Sequence, residues 1–284
     1  MMRFRFKFKN SDDAVAGVIG AIMIMGVIAI TITTVTVYYV PVWIEGNEVN
    51  QMRQLSNEIR SLKSVVDMQI QTGDKNTTMS SRITLGSEGV PFFDVAKTSG
   101  TLSANSFDNS FNVQNSSGNV NFTSFGNIKV TPLNRYYVQQ SYIYENGALL
   151  LYQPDGGAVS SSPQLAVSNS TGNINISATL VSINSIKYTL SGTDTMEVQT
   201  KLLLSWEYAY AWSDVAGENI SLNVTTEYPN VWKTWFDTEL NKTENNLIWN
   251  KDFTVANSGN TVNIVVSGVK TLNLKFVIID TKIT

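Results

Sequence analysis

The stretch AVAGVIGAIMIMGVIAITITTVTVYYVPVWI, residues 14–44, contains no charged side chain. As an α-helix it would be about 46 Å long, which exceeds the hydrocarbon thickness of a bilayer, about 30 Å. Tyr38, Tyr39 and Trp43 lie near its end, as in the aromatic belt of a membrane helix. We therefore predict a transmembrane helix over residues 15–44, and no second stretch of adequate length follows it.

The two flanks of this stretch differ in charge, which predicts its orientation. Four basic residues precede it and two acidic residues follow it: Arg3, Arg5, Lys7, Lys9, then Glu45 and Glu48. The positive-inside rule places the N-terminus in the cytoplasm and the rest of the chain outside the cell. The segment RFRFKFK alternates like a strand, but beside a membrane span it is better interpreted as a basic flank that contacts lipid head groups.

Small residues four positions apart lie in the first turns of the span. They form two pairs, Ala16 with Gly20 and Gly17 with Ala21, and such pairs allow helices to approach closely in lipid. The alternative is that glycine and alanine are simply common in membrane helices. Pro41 is expected to kink or interrupt the helix near the interface.

A second helical pattern follows the span over residues 45–73. Apolar residues recur at intervals of three and four, at Met52, Leu55, Ile59, Leu62 and Val66. Gly73 is a candidate C-cap. We predict an amphipathic stalk helix that either packs on the chain's own head domain or assembles with another helix.

The remaining sequence, residues 77–284, consists mainly of short alternating runs separated by Asn, Ser and Gly. Asn146-Gly147 between two such runs predicts a tight β-hairpin. Residues 96–126 contain four phenylalanines and are either a long loop or irregular edge strands. The fold class that follows is α+β, with a long N-terminal helix and a mainly antiparallel, β-sandwich-like head.

One short helix interrupts the predicted strands, in YPNVWKTWFDTELNK, residues 228–242. Pro229 suits its first turn, and Val231, Trp235 and Phe236 form a candidate buried face. Core packing is the favoured role of this aromatic cluster. A sugar-binding platform that includes Trp232 is the alternative.

The composition excludes several kinds of chemistry. The chain has no histidine and no cysteine, so histidine-based triads, imidazole metal sites and disulfides are absent. A net charge of −3 does not indicate nucleic-acid binding. We expect no cofactor and no catalysis. The remaining catalytic alternative is glycoside hydrolysis by paired acids from the set Asp194, Glu197, Glu207, Asp214 and Glu218.

Eight Asn-x-Ser/Thr sequons all lie in the predicted outer part of the chain. They are Asn76, Asn115, Asn121, Asn169, Asn175, Asn219, Asn223 and Asn241. The abundance of Asn, Ser and Thr would produce many of them by chance. Their location nevertheless predicts that some carry glycan.

The segment DDAVAGVIG, residues 12–20, resembles the N-terminus of archaeal type IV pilin-like proteins, which carry a class III signal peptide. The family motif commonly reads acid-Ala-Val-Ser-Pro-Val-Ile-Gly, and Ala16 and Gly17 stand here where Ser and Pro are usual. The resemblance implies a prepilin peptidase as partner. It also implies cleavage between Ala14 and Val15, next to Asp13, and a basic leader over residues 1–14.

Two segments of the head, QPDGGAV (153–159) and EYPNVWKTWFDTEL (227–240), are similar to an uncharacterised group of archaeal membrane-anchored surface proteins. The expected function is a membrane-anchored, glycosylated cell-surface protein, as a minor pilin, adhesin or envelope component. One alternative is the major subunit of a surface filament, assembled from copies of the chain. The other is a surface domain that binds or hydrolyses polysaccharide.

Overall fold

The N-terminal part of the protein is one long helix. The computed structural model describes residues 11–210 and 217–284, with side chains from residue 15 onward. Helix α1 spans Ser11–Thr34, a π-helical segment spans Val35–Tyr39, and helix α2 spans Val40–Thr72. The described residues include one helix that is long and apolar enough to cross a membrane.

Pro41 does not end the helix, and the expected interruption of the α-helix lies directly before it. The π segment is found there, and the Val40 N–H donates to the carbonyl of Val35. Proline lacks an N–H and its ring crowds the carbonyl four residues back, and one wider turn accommodates both effects. Pro41 then occupies the first turn of α2.

Helix α2 ends as the sequence predicts. Gly73 adopts a left-handed conformation with φ of 66°, and its N–H donates to the carbonyl of Gln69. The chain then enters the head.

The described residues of the head form two sheets and a short helix. The nine-stranded sheet contains β1 (Thr78–Thr84), β3 (Ser110–Asn115), β4 (Asn121–Phe125), β9 (Leu165–Ser170), β10 (Asn173–Asn184), β12 (Thr195–Tyr210), β13 (Glu218–Thr225), β14 (Phe253–Ser258) and β15 (Thr261–Ile283). The six-stranded sheet contains β2 (Gly100–Ala104), β5 (Asn127–Pro132), β6 (Ser141–Glu145), β7 (Ala148–Gln153), β8 (Gly156–Ser161) and β11 (Tyr188–Gly192). Helix α3 spans Pro229–Leu240 and is followed by a 3-10 turn, Thr243–Asn245.

The pairing confirms a mainly antiparallel α+β fold. The main path of the larger sheet runs β1-β12-β15-β13-β3-β4, and that of the smaller sheet runs β11-β2-β5-β6-β7-β8. Among the described strands, the parallel pair is β10 with β15. The segment 96–126, for which the sequence left open a long loop or irregular edge strands, forms β2, β3 and β4. Strand β4 lies at the end of the main path of the larger sheet.

The C-terminal strand is longer than the sequence suggests. Its two apolar runs read as separate strands, but they form a single 23-residue strand, β15. Gly268, with φ of 68°, lies where the register with β13 shifts between Glu218 and Ile220. The glycine that looks like a turn is therefore a bulge, and the strand continues through it.

Two hydrophobic clusters fill the head, and β15 contributes to both. Leu272 and Leu274 belong to the first cluster, which also contains α3. Val277 and Ile279 belong to the second, which also contains α2. The buried face of β15 therefore changes between Leu274 and Val277, which is why its sequence shows no single alternation.

The predicted hairpin forms at Asn146-Gly147, between β6 and β7. The two residues have φ of 51° and 76°, the positive values that a type I′ turn requires. Glu145 pairs with Ala148 across it. This turn fixes the register of β6 and β7 in the smaller sheet.

Candidate functional site

The first half of the long helix presents its apolar side chains to the surroundings. Most large apolar side chains from Val15 to Trp43 are exposed, with Val40 buried against the head as an exception, and the most apolar part of the helix has no buried residue. A core helix of a globular protein would be covered, so this surface needs lipid or other helices around it.

The small residues of the span face open space. A side chain added at Gly17 or Gly20 would meet no atom within 4 Å, and Ala16 and Ala21 are exposed. The packing of these small residues against another helix stays a prediction. No other part of the described chain covers the surface that such packing would use.

The backbone is helical through the expected cleavage site. Helix α1 includes Asp13, Ala14 and Val15. The basic residues of the leader, Arg3 to Lys9, lie outside the described residues, as do the side chains of Asp13 and Ala14. Cleavage and orientation therefore stay predictions.

The second half of the helix packs on the head. Leu55, Ile59, Leu62 and Val66 are fully buried, and Met52 nearly so, in the cluster that also contains strands of both sheets. Of the two predicted roles for the heptad pattern, the structure therefore shows the first, a helix that packs on the chain's own head.

Glu48 joins this helix to a loop of the head. Its carboxylate is fully buried and accepts three backbone N–H groups, from Arg135 at 2.6 Å, Tyr136 at 2.9 Å and Tyr137 at 2.7 Å. Successive backbone N–H groups around an anion form a nest, and a buried carboxylate requires such donors. The sequence suggests a solvated flanking charge, whereas Glu48 fastens the helix to the loop.

Amides and a second carboxylate add further attachments along the helix. Gln51 Nε2 donates to the carbonyl of Thr84 at 3.0 Å, and Gln69 Nε2 donates to the carbonyl of Thr200 at 2.8 Å. Glu58 accepts the Thr84 N–H at 2.7 Å. The amide nitrogens of Gln51 and Gln69 and the Glu58 carboxylate thus bond to the head, while the buried amide oxygens of the two glutamines have no partner among the described residues.

The two head segments 153–159 and 227–240 meet in space. A Cβ at Gly157 would lie 2.8 Å from Val231 Cγ2, so glycine permits the β8 backbone to touch α3. The rings of Tyr152 and Tyr228 lie 4.9 Å apart, centroid to centroid. The contact between these segments therefore organises one end of the head.

A buried carboxylate lies beneath this contact. Glu145 Oε1 accepts hydrogen bonds from Thr226 Oγ1 at 2.8 Å and Trp232 Nε1 at 2.5 Å. Glu145 Oε2 has no partner among the described residues. Burial raises the pKa of Glu145 to about 7, although the two hydrogen bonds oppose that shift.

A cleft of about 470 Å³ opens above the contact. It is lined by polar and aromatic groups from both segments, among them Tyr152, Asp155, Glu227, Asn230 and Thr234. Tyrosine faces, carboxylates and an amide are groups that can bind a polar ligand.

Trp232 is not part of an exposed platform, so that form of the sugar-binding alternative is wrong. Its ring is fully buried and contacts Phe236, with centroids 5.9 Å apart. Trp235 is half-buried, and its Nε1 donates to Ser162 Oγ at 3.3 Å. The buried face of α3 consists of Val231, Trp232, Phe236 and Leu240. The helical spacing therefore predicted the buried face correctly, except that it placed Trp235 there in place of Trp232.

Of the five acids considered for hydrolysis, two are engaged by other side chains and one lies outside the described residues. Glu207 forms an ion pair with Lys275 at 2.9 Å, which lowers the pKa of Glu207. A general acid for glycoside hydrolysis needs the opposite shift. Glu218 accepts a hydrogen bond from Ser117 Oγ at 3.2 Å, and Asp214 falls in the undescribed segment. Among the described residues no group of three acids could hold a metal ion.

The sequons differ in accessibility. Four asparagines are exposed: Asn76, Asn121, Asn219 and Asn241. Three are half-buried: Asn169, Asn175 and Asn223. Asn115 is buried, and its amide bonds Ser117 Oγ at 2.7 Å and the Val120 N–H at 2.9 Å. A glycan there would require this turn to open, so the exposed sites are the better acceptors.

Sequence reasoning missed the roles of Glu48 and Glu145. Glu145 directly precedes the Asn-Gly turn, in a run of otherwise apolar and aromatic residues, and that context is a signal for a buried acid. Glu48 lies four residues before Met52, in the same helical stripe, which is the comparable signal.

Together, these features define a protein with one helix suited to span a membrane and an antiparallel β-rich head packed on its second half. Residues 14–277 match the Family of unknown function (DUF7289), and the chain belongs to this family. It matches no curated protein and no solved structure.

Proposed function

We propose that this protein is a non-catalytic, membrane-anchored cell-surface protein of the type IV pilin-like class. One N-terminal span lies in membrane lipid and the β-rich head lies outside the cell. The head carries glycans, and it serves as a minor pilin, adhesin or envelope component. No cofactor and no nucleic acid takes part.

The observation that carries the proposal is the exposed apolar surface from Val15 to Trp43. Its length matches a bilayer with its interfacial regions. The same helix continues to Thr72 and packs into the head, so the span and the head are covalently and structurally continuous. The basic leader and the acidic, aromatic far flank support an N-terminus in the cytoplasm.

The resemblance to pilin-like proteins adds a processing step to the proposal. A prepilin peptidase removes residues 1–14, and Val15 becomes the N-terminus. The mature protein then either stays in lipid or packs its helix against other pilin-like subunits. The free surface around Gly17 and Gly20 supports the second route without requiring it.

N-terminal sequencing of the native protein, together with electron microscopy of sheared surface material, tests this proposal. A start at Val15 in the membrane fraction supports a processed anchor, and a start at Val15 in filaments supports the filament subunit. An intact leader would contradict the pilin-like class.

Labelling of whole cells tests the orientation. The chain has no cysteine, so Ser258→Cys in the exposed β14–β15 turn introduces a unique thiol. A membrane-impermeant maleimide should label it before lysis. Labelling only after lysis would show that the head is inside.

The cleft above Glu145 supports a second candidate function, the binding of a polar surface ligand such as a polysaccharide. Tyr152 and Asn230 both line this cleft. A glycan array with the wild-type protein and with Tyr152→Ala tests it. Binding that is lost in this variant supports the function, and equal or absent binding by both proteins contradicts it.

A further inference from the structure

A short closed loop of the head ends in an exposed phenylalanine. The Val90 N–H donates to the Asp94 carbonyl at 2.6 Å, and the Asp94 N–H donates back to Val90 at 3.0 Å. The loop between them is Pro91-Phe92-Phe93. Phe92 is 97 % exposed and has φ of 70°, a conformation rare for bulky residues. Water alone does not favour an aromatic ring held out in this way.

This loop lies against the long helix at the end of the apolar span. Val90 is buried with Val40 and Ile44, and the rings of Phe93 and Trp43 have centroids 6.3 Å apart. Asn47 Nδ2 donates to the carbonyl of Glu88 at 3.0 Å, just before the loop. The loop is therefore placed beside the helix turns that follow Tyr39.

A second loop lies at the same level. The backbone N–H groups of Arg135, Tyr136 and Tyr137 in this second loop donate to the Glu48 carboxylate. Arg135 Nη1 also forms an ion pair with Asp94 of the first loop, at 2.8 Å. Three large side chains of this second loop are about half exposed: Leu133, Tyr136 and Val138. With Phe92, Phe93 and Val95 of the first loop they form a set of six, which we call the apolar collar.

The level of the apolar collar follows from helix geometry. A hydrocarbon core of about 30 Å takes about 20 residues of helix. Centred in the uncharged stretch 14–44, those residues run from about position 19 to position 39, and Trp43 lies about 6 Å further along. That distance falls within the interfacial region of the bilayer, where aromatic side chains are enriched.

We propose that the apolar collar inserts into the interfacial region of the leaflet on the head's side, as a second membrane contact beside the span. Its continuity with the span selects lipid as the occupant, since Trp43 belongs to the membrane helix and touches Phe93. Arg135 lies between the two loops with its side chain partly exposed, where phosphate groups of lipids can pair with it. This inference rests on the proposed membrane span.

Single-cysteine labelling of the full chain in phosphatidylcholine nanodiscs tests the inference. Three variants carry an environment-sensitive fluorophore at one thiol each: Phe92→Cys, Ile28→Cys in the span, and Ser258→Cys in the remote turn. All three positions are exposed in the protein itself, so labelling leaves the fold intact. An aqueous quencher should act several-fold less at residues 92 and 28 than at residue 258, and a shallow lipid-borne quencher should act most at residue 92.

The outcomes separate this inference from the proposed function. Aqueous quenching at residue 92 equal to that at residue 258, with residue 28 protected, would overturn the collar and leave the span standing. Exposure of residue 28 to the aqueous quencher would overturn both. Protection of the labelled residue 92 that requires two chains per disc, together with disulfide formation between unlabelled Phe92→Cys chains, would show a second copy as the occupant and overturn lipid insertion.

Discussion

Glu145 predicts an unusual dependence of stability on pH. Its pKa is raised from 4.5 to about 7 because the folded protein buries the carboxyl group. Between these pH values the folded state binds more protons than the unfolded state, so stability falls as pH rises. This rise in the pKa of Glu145 corresponds to about 3 kcal/mol, present as a penalty above pH 7 and absent below pH 4.5.

Glu145→Gln removes the titration and keeps an acceptor for Thr226 and Trp232. We expect the variant to resemble the wild type near pH 4.5 and to be more stable by up to about 3 kcal/mol at pH 8. Denaturant unfolding in detergent, followed by tryptophan fluorescence at several pH values, measures the difference. Glu207→Gln is the matched control, because the pKa of that exposed acid is lowered, so its effect should be small and of opposite sign.

A stability difference between Glu145→Gln and the wild type that does not change with pH would refute the reasoning. It would mean that Glu145 is charged in the folded protein and that its unpartnered oxygen is solvated.

Three further predictions concern the joint between helix and head and the hairpin. Glu48→Ala leaves three backbone N–H groups of residues 135–137 without their acceptor, so we expect a loss of about 3 kcal/mol or more and faster amide exchange there. Leu62→Ala should lower the free energy of unfolding by about 2–5 kcal/mol, measured by denaturant unfolding. Met68→Ala is the control, because Met68 is exposed on the same helix, and it should cost less than about 0.5 kcal/mol. Equal losses in the two variants would contradict the packing of α2. Gly147→Ala, at φ of 76°, should cost about 1 kcal/mol by the same assay, and an unchanged midpoint would exclude the positive-φ turn.

The elements that could be predicted from the sequence depend on local chemistry. The apolar stretch 14–44, the Gly73 cap and the Asn146-Gly147 turn each contain their own signal. The heptad of α2 predicted a buried stripe, but apolar spacing is the same whether the partner is a sheet or another helix. Only the tertiary structure assigns Leu55 and Leu62 to the head.

The rest of the fold and the site depend on contacts distant in sequence. Strand β15 contains a bulge at Gly268 and changes its buried face between Leu274 and Val277, so its alternation is broken twice and the sequence does not show one continuous strand. Glu48 and Glu145 look like ordinary surface acids until the chain brings residues 87 or more positions away to each of them. The apolar collar likewise has no local sequence pattern, because its place beside the span depends on the contact between Phe93 and Trp43.

The central claim is that the helix surface from Val15 to Trp43 holds the protein in a membrane. Alkaline carbonate extraction of membranes that contain the full chain tests it most directly, with Ile28→Arg as the matched variant. A charge at the centre of a span costs about 3 kcal/mol or more, so we expect the wild type in the pellet and a larger share of the variant in the supernatant. Release of the wild type into the supernatant would contradict the account.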